Sequence, residues 1–401
     1  MNILFLTLVY PMDCNSRGIY IDLMKELKNR GNNVTVVTPI ERRQKKETYI
    51  GYEDGIRVLR VKTGNIQKTN IIEKGLSTLL IENQFVNSIK KYLNDTKFDL
   101  VMYSTPPITF EKVINYIKSR DGAKSYLLLK DIFPQNAVDI EMMKESSIIY
   151  KYFRKKENKL YAASDYIGCM SDKNKEYLLE HNKELREEKV EVCPNSIDPL
   201  PFSKLNLEEK IALRDKYKIP KDALVIVYGG NLGRPQGINF LIEILKANKD
   251  NKEVFFLIVG NGTEYNKLKA WFDDNQGINA ALYSLLPKAD YDNLVKACDI
   301  GLILLDNRFT IPNFPSRLLS YMEVGIPVLA ATDKNTDVGI VIENGKFGYW
   351  CESGNIEAFN TCIKKMITEK ESLVDMGIKG REYLENNYTV KHSSDIILNR
   401  F

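Results

Sequence analysis

Two segments combine glycine, arginine and serine in a pattern that binds diphosphates. Residues 227–237 have the sequence VYGGNLGRPQG, and residues 313–328 have the sequence NFPSRLLSYMEVGIPV. Each segment follows an apolar run typical of a β-strand and opens into a helical pattern. This order predicts free backbone N–H groups and a cation at the mouth of a parallel sheet, which is a good place for a diphosphate.

The glycines and arginines of these segments have a second interpretation. Gly237, and Gly18 near the start of the chain, each stand where a helix is expected to begin, so that the helix dipole favours an anion there. Arg234 and Arg317 can each bind phosphate through two hydrogen bonds. Alternatively, the glycines only form tight turns and the arginines are surface charges. A single such loop is weak evidence, but two that face the same cleft favour the anion site.

Other chemistries fit the sequence poorly. The segment from Gly260 begins like a dinucleotide fingerprint but has Tyr265 in place of the third glycine, which argues against a dehydrogenase. His181 and His392 are the only histidines, and both lie in charged helical surroundings. The Asp-Tyr-Asp sequence at 290–292 has a metal-binding form, but it follows a proline and resembles the acidic first turn of a helix. No metal cofactor is therefore expected.

Length and composition indicate two α/β domains. A chain of 401 residues, 44% hydrophobic and 27% charged, is too long for one core. Its formal net charge of +4 predicts no nucleic-acid partner. Six scattered cysteines without a CxxC motif predict reduced thiols in a cytoplasmic protein. Because no signal peptide or transmembrane run is evident, any membrane contact is expected to be peripheral.

The order strand, glycine loop, helix, strand occurs at the start of each half of the chain. This is the βαβ unit of a doubly wound fold, so the sequence predicts two Rossmann-like domains with a cleft between them. Residues 1–197 are predicted to form an acceptor-binding domain and residues 198–380 a nucleotide-sugar domain, joined by a proline-rich linker. Residues 381–401 are predicted to form a helix that returns to the first domain.

A basic amphipathic helix is predicted at residues 148–161. Its apolar residues alternate with five cations: Lys151, Arg154, Lys155, Lys156 and Lys159. The plainer interpretation is a surface helix with its apolar stripe on the core. The sharper one is that the helix docks on an anionic membrane surface or a lipid diphosphate.

These motifs together resemble the family 4 retaining glycosyltransferases of GT-B fold over essentially the whole chain. Residues 228–237 are similar to the loop that grips the donor diphosphate, and residues 259–262 to the family's Gly-x-Gly strand end. Residues 282–284 stand where the donor base is read, and residues 194–198 resemble the family's linker motif. With residues 129–135, the pattern resembles a subgroup that includes bacterial O-antigen and capsule transferases of the N-acetylfucosamine type.

The resemblance implies a set of site residues. Those expected to bind the donor and its diphosphate are Gly18, Gly230, Asn231, Arg234, Gln236, Gly237, Gly260, Tyr283, Ser316, Arg317 and Ser320. Asp131 stands near the family's catalytic-loop histidine, and it is expected to act in catalysis together with Arg317 and Glu323.

The sequence also departs from the family pattern. Asn231 and Gln236 stand in place of the usual Arg and Lys, and Pro312 and Ser320 in place of the usual pair of glutamates. Arg234 and Arg317 can replace the missing charge. Glu323, one turn beyond Ser320, is interpreted either as a ribose ligand or as a solvent-facing helix residue.

The resemblance implies a metal-independent, retaining transferase at the inner face of the plasma membrane. It is expected to use a UDP-sugar and a polyprenyl-diphosphate-linked saccharide acceptor in the synthesis of O-antigen, capsule or lipopolysaccharide. Two alternatives stay open. A non-hydrolysing UDP-sugar 2-epimerase shares the fold but is expected to need histidines and carboxylates in its cleft. A catalytically inactive GT-B partner subunit would explain the missing glutamates.

Overall fold

The computed structural model describes residues 1–12, 16–66, 69 and 71–401, with the side chains of 71, 72, 74 and 76 left out. It divides into two compact units, one formed by Met1–Asp198 with Thr389–Phe401 and the other by Pro199–Tyr388. Of the cysteines expected to be reduced, Cys14 lies outside the described residues. The five described cysteines are free, and four of them are buried.

The first unit is a doubly wound sheet of eight strands. Its strands are β1 (Asn2–Leu6), β2 (Asn33–Glu41), β3 (Tyr49–Glu53), β4 (Ile56–Thr63), β5 (Leu100–Ser104), β6 (Lys124–Leu129), β7 (Tyr166–Cys169) and β8 (Val190–Val192). Its helices include α1 (Ile19–Asn29), α2 (Ile71–Tyr92), α3 (Glu111–Asp121), α4 (Gln135–Asp139), α5 (Ile148–Ala163) and α6 (Asp172–His181). The strand order is β3-β4-β2-β1-β5-β6-β7-β8, and β3 alone among these strands runs antiparallel to its neighbour.

The second unit has a six-stranded parallel sheet. Its strands are β9 (Leu224–Asn231), β10 (Val254–Asn261), β11 (Ala280–Tyr283), β12 (Ile300–Leu304), β13 (Val328–Thr332) and β14 (Gly348–Glu352). Its helices are α7 (Leu207–Lys216), α8 (Ile238–Ala247), α9 (Tyr265–Asp274), α10 (Lys288–Lys296), α11 (Arg317–Val324), α12 (Val338–Asn344), α13 (Ile356–Thr368) and α14 (Leu373–Asn387). The order β11-β10-β9-β12-β13-β14 is the Rossmann order, which reverses direction between β9 and β12.

The central strands are apolar along their whole length. Every residue of β5 and of β12 except a serine is hydrophobic or glycine, and all are buried. Helices cover both faces of a parallel sheet, so such strands have no solvent face that needs polar residues. This burial is why the continuous apolar runs predicted two Rossmann-like halves, and each unit has that architecture.

The return of the chain to the first unit begins later than predicted. Residues 381–388 belong to the second unit, because α14 packs on α11 there. Arg381 in α14 donates hydrogen bonds to the carbonyls of Glu323 (2.9 Å) and Leu200 (2.8 Å). A Cβ at Gly377 would lie 2.0 Å from the carbonyl oxygen of Gly325, so only glycine allows this approach.

The returning segment is the last helix, α15 (Val390–Leu398). Val390 and Ile397 join the core of the first unit, and Arg400 forms an ion pair of 2.6 Å with Glu191. The division between the units falls after Asp198, one residue beyond the predicted 197. Among the described helices, none is both long enough and apolar enough to cross a membrane.

Candidate functional site

The candidate site of the second unit lies where the strand order reverses. Ligands of doubly wound sheets bind outside the carboxyl ends of the strands at this point. Gly230 occupies the end of β9 with a φ of 120°, a backbone conformation that favours glycine. Gly260 is its partner on β10, and a Cβ there would lie 1.9 Å from the Gly230 carbonyl oxygen. The two glycines therefore allow the strand ends to meet.

The guanidinium of Arg317 lies beside this strand end. Arg317 is the first residue of α11, and its Cζ lies 4.0 Å from the centroid of the Tyr228 ring. A Cβ at Gly230 would be 2.9 Å from Arg317 Nη2, so glycine leaves the room that the cation fills. The arrangement places a half-buried cation at the mouth of the sheet, where it can bind an oxyanion.

Two further tyrosines pack under this strand end. The Tyr321 hydroxyl lies 3.0 Å from the carbonyl oxygen of Val227 and 3.2 Å from that of Leu302, and it accepts a hydrogen bond from the Gly229 N–H. The Tyr291 hydroxyl occupies the space that a Cβ at Gly229 would need, only 1.7 Å from that position. Burial raises the pKa of Tyr291 to about 12, although the Arg317 charge acts to lower it. Both phenols are therefore neutral at physiological pH.

Asn231 and Gln236 hydrogen-bond each other in this structure, and their expected contact with the diphosphate stays a prediction. Asn231 Nδ2 donates to Gln236 Oε1 at 3.2 Å, and the same oxygen accepts the Gly233 N–H at 3.2 Å. Tyr228 donates its hydroxyl to the Asn231 carbonyl at 2.7 Å. The neutral amide pair thus fixes the loop's shape, in positions where the family has cations.

The other expected donor residues of the second unit surround the same edge of the sheet. Gly237 precedes α8 in a left-handed conformation, and Tyr283 ends β11 with its hydroxyl bound to the Tyr217 carbonyl at 2.7 Å. Arg234 is exposed and lies 3.7 Å from Glu264. Ser316 and Ser320 are exposed before and within α11. Their contact with a donor stays a prediction.

The Glu323 carboxylate is hydrogen-bonded to the backbone of the same unit. Its Oε1 accepts the N–H of Leu200 at 2.9 Å, just after the division between the units. This hydrogen bond gives Glu323 an anchoring role that neither sequence interpretation included. Its assignment as a catalytic residue stays a prediction.

Asp131 lies at the carboxyl end of β6 in the first unit. The backbone N–H groups of Asp131 and Lys130 donate to Thr105 Oγ1 at 3.0 Å and 2.9 Å, which fixes the turn. Burial raises the pKa of the Asp131 carboxyl to about 6. Burial also lowers the pKa of Lys130, whose ammonium donates to the Cys193 carbonyl, to about 8. Shifts of this kind at a strand end are typical of functional sites.

Gly18 does not offer a free N–H group to a diphosphate. Its N–H donates to Asp22 Oδ1 at 3.3 Å, and the other oxygen of Asp22 accepts the Asp198 N–H at 3.2 Å. The start of α1 is thus occupied by a carboxylate of the chain itself, which satisfies the helix dipole. Asp22 accepts the Gly18 N–H in this structure, and the binding of a donor diphosphate by Gly18 stays a prediction.

The predicted basic cluster on α5 is smaller than its sequence suggests. Arg154 pairs with Glu157 at 2.6 Å, Lys156 with Glu82 at 3.6 Å, and Lys159 with Glu111 at 3.8 Å. Lys151 and Lys155 are exposed without an ion pair to any described residue. They lie among exposed apolar side chains, with Ile148 86% and Ile149 59% accessible and Met142 and Tyr152 also exposed.

The acidic residues at 290–292 are paired with lysines. Asp290 is in the first turn of α10, 3.6 Å from Lys216, and Asp292 lies 2.8 Å from Lys288. Among the described residues, no group of three or more histidine, cysteine, aspartate or glutamate side chains is placed to hold a metal ion.

Sequence reasoning did not single out Tyr228, Tyr291 or Tyr321 as site residues. In the sequence Tyr228 lies inside the glycine loop and Tyr291 is the middle residue of Asp-Tyr-Asp, and neither context marks a site residue. Two of these tyrosines fill the space left by a glycine elsewhere in the chain: Tyr291 at Gly229, and Tyr321 at Gly301. No spacing rule in a single sequence shows such a pairing.

Two family models match the chain. The model described as "Glycosyltransferase Family 4" matches residues 19–199, and the model described as "Glycosyl transferases group 1" matches residues 209–383. The first match covers most of the first unit, and the second covers the strand ends that surround Arg317.

Similar proteins include several enzymes of bacteria. A probable glycosyltransferase, WbjE, of Pseudomonas aeruginosa is 23% identical over 94% of this chain and 91% of the relative. The UDP-Gal:alpha-D-GlcNAc-diphosphoundecaprenol alpha-1,3-galactosyltransferase of Escherichia coli is 23% identical over 63% of each chain. The solved structure of Anabaena Alr3699/HepE in complex with UDP-glucose has a TM-score of 0.72 at 16% identity, covering 100% of this chain and 99% of that one. At that identity the structural likeness shows the fold alone.

The raised pKa of Asp131 can be tested by measuring the free energy of unfolding as a function of pH. Its pKa is about 6 in the folded chain against an ordinary value of 3.8, so the folded state binds more protons between these values. Stability therefore falls as pH rises through this window. We expect Asp131→Asn to raise the free energy of unfolding by about 1–3 kcal/mol at about pH 8, with the gain lost below about pH 4.

Asp165→Asn is the matched control for this titration. Burial raises the pKa of Asp165, but Lys118 at 2.8 Å and the Ser125 hydrogen bonds lower it more, so that it ends below its ordinary value. This carboxylate stabilises the fold above its unfolded pKa, and its replacement should destabilise the protein at about pH 8. A stability loss at every pH in Asp131→Asn would contradict a desolvated carboxylate at position 131.

Proposed function

Because the chain belongs to the group 1 glycosyltransferase family of GT-B fold, we propose that it transfers a sugar from a UDP-sugar to a polyprenyl-diphosphate-linked saccharide. The reaction retains the anomeric configuration, requires no metal, and serves the synthesis of a bacterial surface polysaccharide. Support for the donor comes from the UDP-glucose complex of the Anabaena protein. Support for the acceptor class comes from the E. coli relative, whose substrate is linked to diphosphoundecaprenol.

The observation that supports the proposal most is the placement of Arg317 at the end of β9. When the sugar leaves, negative charge develops on the β-phosphate of UDP, and a fixed cation stabilises this charge in the transition state. Arg317 stands at the sheet edge where ligands of this fold bind, with its guanidinium already oriented. The acceptor hydroxyl attacks from the face that the diphosphate leaves, and the departing phosphate takes up its proton.

The positions of the two histidines do not favour the alternative of a UDP-sugar 2-epimerase. His181 is exposed and stacks on Tyr177 at 3.9 Å, and His392 is exposed on α15. Neither lies at the carboxyl end of a strand, where this fold places its ligands. The inactive-subunit alternative is decided by the assay below.

Arg317→Ala tests the donor site. We expect a fall in kcat of about 100-fold or more, the cost of removing one oriented donor to the developing charge. Release of UDP from a panel of UDP-sugars, with a lipid-linked acceptor present, measures it. Lys365→Ala removes the cation that lies 5.2 Å over the Tyr349 ring elsewhere in the unit, and it should keep parental turnover.

The panel also separates the alternatives. Parental turnover in Arg317→Ala would exclude the proposed role of this residue. A parent chain that binds UDP in calorimetry but releases none from any UDP-sugar would be an inactive partner subunit.

Metal independence is tested by chelation. Arginine supplies the positive charge at the strand end, and the acidic pair at 290–292 is engaged by lysines. We expect UDP release to continue after dialysis against EDTA, and Mg²⁺ or Mn²⁺ to change it little. Loss of turnover in EDTA with recovery in Mn²⁺ would overturn this part of the proposal.

Membrane attachment is proposed for the exposed end of α5. Ile148 and Ile149 can enter the lipid interface, while Lys151 and Lys155 face anionic headgroups. Each lysine near an anionic surface contributes about 1 kcal/mol. We expect Lys151→Gln/Lys155→Gln to weaken binding to phosphatidylglycerol vesicles by about 30-fold in co-sedimentation, since 1.4 kcal/mol is about tenfold.

The control replaces two exposed lysines of the first unit that already have acidic partners. Lys112→Gln/Lys159→Gln should lose much less vesicle binding, because Glu82 and Glu111 already offset these charges. UDP binding should be unchanged in both double variants. Vesicle binding that is equal in the two variants would show that the exposed end of α5 does not attach the protein.

A further inference from the structure

The Tyr228 ring is fixed under the Arg317 guanidinium. The ring centroid lies 4.0 Å from Cζ, within the range of an attractive cation–π contact. The Tyr228 hydroxyl donates to the Asn231 carbonyl at 2.7 Å, and the residue itself belongs to β9. Strand and hydrogen bond therefore hold the ring at both ends, so the face that it offers the cation is rigid.

Tyr291 closes the other side of the strand end. Its hydroxyl fills the space left by the missing side chain of Gly229, the neighbour of Gly230. The Tyr321 hydroxyl contacts the backbone of β9 and β12 at the same strand end. The end of β9 beside Arg317 is thus packed by aromatic side chains from two helices.

No carboxylate of the described residues forms an ion pair with Arg317. An acidic partner would neutralise the guanidinium and occupy its donors, whereas an aromatic face attracts the cation and leaves its N–H groups open. The arrangement is therefore suited to a cation that must be held in place and still bind an incoming anion.

We infer that Tyr228 and Tyr291 are positioning residues that act through Arg317. This aromatic clamp (Tyr228 and Tyr291) holds the guanidinium at Gly230 in the orientation that the diphosphate requires. The inference rests on the proposed function and adds to it the device by which one arginine replaces the cations missing at Asn231 and Gln236. Preorganisation lowers the cost of reorientation during reaction, so its loss should lower kcat more than it raises KM.

The test compares Tyr228→Leu with Tyr228→Phe in kcat and KM for the UDP-sugar. Leucine removes the ring, and we expect kcat to fall about tenfold, the equivalent of ~1.4 kcal/mol. Phenylalanine keeps the ring and loses only the hydroxyl, so it should rescue most of that loss. Tyr291→Leu, which leaves the Tyr228 ring in place, should lower kcat in the same direction.

A double variant distinguishes positioning from general damage. If Tyr228 acts through Arg317, then Tyr228→Leu should cost nothing further in an Arg317→Ala background, because residues acting through one group are not additive. Independent, multiplied losses would overturn the inference. So would equal losses in Tyr228→Phe and Tyr228→Leu.

A measurement on the free protein separates this inference from the proposed function. The side-chain NMR signal of Arg317 Nε–H, assigned by its absence in Arg317→Lys, should be shifted by the Tyr228 ring current. Tyr228→Leu should move it toward the position of an unstacked arginine, whereas the control Tyr349→Leu should not. An unshifted signal in the parent overturns the clamp even if the chain is an active transferase. A shifted signal without UDP release supports the clamp and removes the proposed function.

Discussion

The candidate donor site depends on the absence of side chains at the ends of two adjacent strands. A Cβ at Gly229 or Gly260 would overlap the Tyr291 hydroxyl or the Gly230 carbonyl oxygen, and one at Gly230 would crowd the end of the Arg317 side chain. Interiors are close-packed, so the space that a glycine leaves must be filled by a particular neighbour. Tyr291 fills one such space and Arg317 another. The cation therefore lies against β9, in the space that Gly230 leaves and on the ring of Tyr228.

Hydrogen bonds between neutral side chains explain how the loop after β9 keeps its conformation with Asn231 and Gln236 in place of the usual Arg and Lys. Asn231 and Gln236 satisfy each other and the Gly233 N–H, so the loop has the hydrogen bonds it needs to fold. Its shape and its charge are separate properties, supplied by different residues. The amides maintain the loop, and the cations near it are Arg234 within the loop and Arg317 at the start of α11.

The sequence predicted the doubly wound architecture because that architecture follows from local patterns. Buried parallel strands are apolar throughout, and glycine loops mark where helices begin, as at Gly237. The late return of the chain at Thr389 could not be predicted in this way. The polar helices α14 and α15 have similar patterns, and the difference between them lies in the approach of Gly377 to Gly325. The basic patch on α5 was overestimated because the acidic partners Glu82 and Glu111 are distant in sequence.

The short helix α11 is held firmly at both ends. At its start Arg317 lies on the Tyr228 ring, and at its end Gly325 is covered by Phe202 and by Gly377 of α14. Eight residues of helix span only about 12 Å, and such a segment moves as a rod. A larger residue at Gly325 or Gly377 would clash with Phe202 or with the Gly325 carbonyl, and we expect the resulting shift of α11 to displace the Arg317 guanidinium at its start. A substitution at either glycine would then weaken anion binding at Arg317, although neither glycine lies at the anion site.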